Sequence, residues 1–148
     1  MSRRWPLAVV VPVAVCCVTA CAGSDSQALM KPVEEVSSAA QATILAVELR
    51  THGRTTAAAA TTLAGDMLDE VEAATKDVAS KEARSDGERG SQSEVLAAFA
   101  AVSTGILHAR DAVGADSAKE LDGVRAELRD ASDRLGGLRE RLARESRE

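Results

Sequence analysis

The stretch LDGVRAELRDASDRLGGLRERL, residues 121–142, decides the fold. Its apolar residues are Leu121, Val124, Leu128, Ala131, Leu135, Leu138 and Leu142, so the steps alternate between three and four. Such steps set side chains along one stripe of a helix, whereas a strand would step by two. Charged residues fill most of the remaining positions, which makes the segment an amphipathic helix whose leucine stripe needs a partner. Truncating a buried leucine of that stripe is expected to cost about 2–5 kcal/mol.

Three further series with the same steps lie upstream. They are Met30, Val33, Ser37, Ala40, Ile44 and Val47; then Ala57, Ala60, Ala64, Met67, Val71, Ala74 and Val78; then Val95, Phe99, Val102, Ile106, Ala109 and Val113. The phase breaks between series show where helices end. The first break falls at RTHGRT, residues 50–55, where Gly53 suits a left-handed C-cap. The second is KEARSDGERGSQS, residues 81–93, a charged, glycine-containing run that reads as a solvated loop. The third is VGADSAKE, residues 113–120. Ser91 with Glu94, and Ser117 with Glu120, have the spacing of capping boxes. At the other end MKPVEEV, residues 30–36, looks like a helix start, with Pro32 in the first turn and Glu34 and Glu35 at the positive end of the dipole.

Four striped helices with short connections make an all-α fold, an antiparallel up-down four-helix bundle. The alternative is a set of helical hairpins that complete their cores by dimerising as a coiled coil. The second helix is dominated by alanine, as in TTAAAATTLAG at 55–65, and buries little area per residue.

The first thirty residues are of another kind. Arg3 and Arg4 precede an almost wholly apolar run, Leu7 to Ala20, and no acid appears before Asp25. A membrane-crossing helix needs about twenty apolar residues, and this run is shorter and contains Pro12. A basic start, a short apolar core and small residues at its end describe a secretory signal. The signal closes on Val18, Thr19, Ala20 and Cys21, which resembles the lipobox of bacterial lipoprotein precursors: aliphatic, small or hydroxyl, small, cysteine. Valine stands where leucine is commoner. The resemblance covers residues 1–21 only. It implies that Cys21 receives a thioether diacylglycerol, becomes the new amino terminus and is N-acylated, commonly with palmitate. The other reading is an ordinary secretory signal cut near Ala22. SRRWPL, residues 2–7, is similar to a twin-arginine export signal, although Pro6 sits where that motif prefers an aromatic. The expected organisation is thus a signal peptide over 1–20, a lipidated cysteine and polar tether over 21–29, and a helical bundle over 30–148.

Removing the signal leaves sixteen basic residues against twenty-three acids, a net charge of −7. That balance disfavours nucleic acid, which needs a basic face, and electrostatic adhesion to anionic lipid. All three cysteines, Cys16, Cys17 and Cys21, lie at or before the anchor, so the mature body has neither a disulfide nor a thiolate metal site. Phe99 is its single aromatic residue, which disfavours sugar platforms and base stacking.

Candidate chemistry is sparse. His52 and His108 are the two histidines. His52 reads as a turn residue and His108 as a bundle-edge residue, and neither has an orienting partner visible in sequence. Residues three before them, Leu49 and Gly105, do not supply the Glu-x-x-His pairs of a di-iron bundle. Asp66, Asp69, Glu70 and Glu72 form the densest acidic group, with Asp66 and Glu70 spaced to share a cation. They flank Met67 and Val71 and read as a solvated face. Asp130 with Arg134, and Glu140 with Arg144, are spaced for surface ion pairs.

The expectation is a non-enzymatic, lipid-anchored interaction or structural module of the bacterial cell envelope, without cofactor or metal. It would lie outside the cytoplasmic membrane, or on the outer membrane where a cell has two. Its partners would be the membrane, through the anchor, and an envelope protein or a second copy. The alternative is a carrier or sensor that holds a small apolar ligand between helices.

Overall fold

The computed structural model describes residues 25–115 and 117–147. They form α1 (Asp25–Thr51), α2 (Ala57–Ala79), α3 (Asp86–Ala115) and α4 (Ala118–Glu145). Successive helices pack side by side, α4 returns to α1, and α1 also touches α3 across the centre. Among the described residues α2 and α4 do not meet, so they occupy opposite corners of a four-helix bundle. Cross-helix bonds fix the directions. Ser26 near the start of α1 reaches Glu145 at the end of α4 (3.2 Å), Gln41 reaches Ser132 (2.7 Å), and Arg129 reaches Glu48 (2.5 Å). As the number rises on α1 it falls on α4, which is antiparallel packing.

The stripes of α3 and α4 are buried as their spacing requires. Val95, Phe99, Val102, Ile106, Ala109 and Val113 are at most 2% exposed, and the seven α4 positions from Leu121 to Leu142 at most 8%. On α2, Ala60, Ala64, Val71, Ala74 and Val78 are buried while Ala57 and Met67 stay half-buried. On α1 the stripe is broader and differently phased. Leu29, Pro32, Val33, Val36, Ala39, Ala40, Thr43, Ile44, Ala46 and Val47 are buried, whereas Met30 and Ser37 are only half-buried. Together these rows make a broad arc on α1, which packs against α2, α3 and α4. Thr43, within that arc, satisfies its hydroxyl by donating to the Ala39 carbonyl at 2.9 Å.

Two helix starts differ from expectation. Helix α1 begins at Asp25, so Asp25 to Leu29 belong to the helix rather than to a tether, and Pro32 lies inside it rather than in its first turn. Burial of Leu29 and Pro32 outweighs the backbone hydrogen bond that proline cannot donate. Helix α3 begins at Asp86, inside the run read as a loop. The capping box is Ser85 with Glu88, one turn and a half before Ser91 and Glu94. The Glu88 amide donates to Ser85 Oγ at 3.1 Å, and the Ser85 and Arg84 amides donate to Glu88 Oε2. Gln92 Nε2 then donates to the carbonyls of Val78 (2.7 Å) and Lys81 (3.0 Å), which fastens α3 to the end of α2. The box at Ser117 is where its spacing places it, with the Glu120 amide 3.4 Å from Ser117 Oγ.

Candidate functional site

The α3–α4 seam brings the candidate residues closest together. Helices α3 and α4 are joined by a tight turn, and residues equidistant from that turn face each other. His108 pairs in this way with Glu127 (Nδ1 to Oε2, 2.9 Å), and Glu94 with Arg141 (2.9 Å). Around the Glu94–Arg141 pair runs an open groove of about 610 Å³ lined by Ala97, Ala98, Ala101, Ala131 and Gly137 beside Leu138. Its small side chains leave a depression because they fill little of the space between helix backbones. Arg134 and Arg144 border it.

His108 thus has the orienting partner that the sequence did not reveal. Glu127 stands nineteen residues on, and only the hairpin register brings it close. The hydrogen bond to Glu127, and then its charge, raise the His108 pKa above the ordinary 6.5. A carboxylate-oriented imidazole is two members of a nucleophile–base–orienter set. The nearest hydroxyl one turn away is Thr104, and it donates to the Ala100 carbonyl at 3.0 Å. His108 and Glu127 keep 54% and 41% of their side-chain surface exposed, so water screens the pair and no dry pocket surrounds it. Once His108 is protonated, the arrangement is a surface ion pair between two helices.

The other candidates are dispersed. His52 stands at the end of α1, where its Nδ1 lies 2.7 Å from the Glu48 carbonyl. Asp66, Asp69, Glu70 and Glu72 are all exposed on α2. Glu72 pairs with Lys76 at 2.6 Å, and the hydrogen bond and charge of that lysine lower its pKa. Among the described residues no group of three or more His, Cys, Asp or Glu side chains could hold a metal ion. Phe99 is a core filler, fully buried. The expected pairs Asp130–Arg134 and Glu140–Arg144 do not form; α4 instead pairs Arg129 with Glu48 on α1 and Arg141 with Glu94 on α3. Inter-helix partners within reach compete with those one turn along the same helix, and they add a link between elements.

Val18, Thr19, Ala20 and Cys21 lie outside the described residues. Among those described, no helix is long and apolar enough to cross a membrane. No family model, no curated protein and no solved structure matches the chain.

Proposed function

We propose that this chain is a non-enzymatic module of the bacterial cell envelope, held by lipid on Cys21 and displayed as a helical bundle outside the cytoplasmic membrane. The observation that carries the reading is Val18-Thr19-Ala20-Cys21 at the end of a short apolar run that follows two arginines. A thiol there, beside small residues, offers the nucleophile that acylation needs and access for a peptidase. Two or three acyl chains hold a protein stably, since each buried CH₂ contributes about 0.8 kcal/mol and one chain alone is marginal. Helical faces would engage an envelope protein.

The second reading is a carrier or sensor that would hold a small apolar ligand between helices. The test of the anchor is a Cys21→Ser variant followed by membrane fractionation and labelled palmitate. The expected outcome is loss of label and release from the membrane fraction. Membrane retention by the serine variant would sink the anchor.

A further inference from the structure

The start of α1 determines how such a module sits. Helix α1 begins at Asp25, and its first turn is already part of the rigid body. Ser26 Oγ bonds Glu145 Oε2 at 3.2 Å, and Leu29 is 5% exposed. Four residue steps separate Cys21 from Asp25, which span at most about 14 Å. An anchor at Cys21 therefore holds one end of the bundle close to the lipid. At that end lie the first turn of α1, the α2–α3 loop of residues 80–85 and the last turns of α4. The turns after α1 and α3 lie at the other end, roughly 40 Å away for helices of this length.

Charge is divided along the same axis. Among the described residues, 25–33, 74–96 and 139–147, the third nearest the anchor, carry nine basic and eight acidic residues. The other described residues carry seven basic and thirteen acidic ones, so the net negative charge lies away from the anchor. Anionic headgroups act on charges within about a Debye length, roughly 8 Å at physiological salt. A bundle lying on its α2 flank would bring Asp66, Asp69 and Glu70 into that layer. A bundle standing on its neutral end would not. Among the described residues no greasy flank opposes this, because the exposed large apolar side chains, Leu45 and Leu107, lie toward the far ends of α1 and α3. At the neutral end Arg84 and Arg144 are exposed and make no ion pair within the described body, which leaves them free for lipid phosphates.

We infer that the bundle stands upright on a phospholipid surface, with the α2–α3 loop against the headgroups and the α1–α2 and α3–α4 turns facing outward. The inference rests on acylation of Cys21. The mature body has no other cysteine, so one introduced thiol labels one position. The processed full chain, carrying Glu82→Cys, Arg54→Cys, Thr62→Cys or Asp133→Cys, is labelled with a fluorophore. It is then reconstituted into phosphatidylglycerol-containing vesicles that also hold a headgroup-level nitroxide lipid. The expected result is loss of emission at position 82 and no loss at 54, at 62 on the α2 flank or at 133 on the α4 flank. Loss at 62 or 133 equal to that at 82 would mean a recumbent bundle and overturn the inference, as would no loss at 82. Intact mass of the same sample separates the two ideas. A diacylglyceryl Cys21 with either adverse pattern leaves the anchor standing and removes the orientation. A free Cys21 thiol removes both.

Discussion

At Gly53 the chain turns out of α1 with φ +64°, a left-handed conformation that costs a residue with a Cβ about 1 kcal/mol. The Gly53 amide donates to the Arg50 carbonyl (2.9 Å) and the Arg54 amide to the Leu49 carbonyl (2.8 Å), the paired bonds of a Schellman cap. Nothing lies within 4 Å of a Cβ built there, so Gly53→Ala tests conformation alone. Urea melts should show a loss of about 1 kcal/mol; an unchanged midpoint would mean that the cap does not hold the turn. The His108–Glu127 pair is the second place where one residue has a measurable consequence. Its raised His108 pKa means the pair stabilises the fold fully below the unfolded value near 6.5 and stops doing so as pH rises through the folded value. Glu127→Gln should lower the His108 pKa toward 6.5 in an NMR titration and flatten the dependence of stability on pH. An unmoved titration midpoint would show that the pair does not form in solution.

Helices α3 and α4 approach closely at Gly105. A Cβ there would sit 2.8 Å from Cδ2 and 3.2 Å from Cγ of Leu128, itself fully buried. Alanine gains about 0.8–1 kcal/mol of helix propensity over glycine, but overpacking a closed core costs about 1–3 kcal/mol. Gly105→Ala should therefore destabilise, while Gly65→Ala and Gly137→Ala, with nothing within 4 Å, should stabilise by about 0.4–1 kcal/mol. Thermal melts of the three variants check the sign, and a stabilised Gly105→Ala would place the seam further open than described. Leu135→Ala, from the fully buried α4 stripe, should cost about 2–5 kcal/mol in the same assay. The α3 and α4 stripes were legible in sequence because each helix faces the core with one arc. The α1 phase was not, because α1 buries a second row, Val36, Ala39, Thr43 and Ala46, that a single stripe assigns to solvent. The start of α3 was hidden by Gly87 and Gly90, which read as loop although Ser85 and Glu88 cap a helix across them. Glu127 could have been found as the partner of His108 by counting equal distances from the α3–α4 turn. That count needs the antiparallel register first.

For the whole molecule the question is whether one chain completes its own core. Paired hairpins would leave a stripe uncovered until a second copy arrives. Here the residues of all four stripes join one buried cluster that runs from Leu29 to Leu142 within a single chain. Among the described residues the exposed large apolar side chains are Leu45 at 55% and Leu107 at 37%, on α1 and α3. Two separate leucines fall well short of the hundreds of Å² of contiguous apolar surface that mark a stable interface. The outward face of α2, with Asp66, Asp69 and Glu70, repels its own copy at low salt. The chain from residue 22 onward contains every member of the core cluster and should sediment as one chain across a wide concentration range, with or without added salt. A dimer that dissociates on dilution would restore the paired-hairpin arrangement. It would also direct attention to the alanine-lined α3–α4 groove, the surface where a second helix could approach closely.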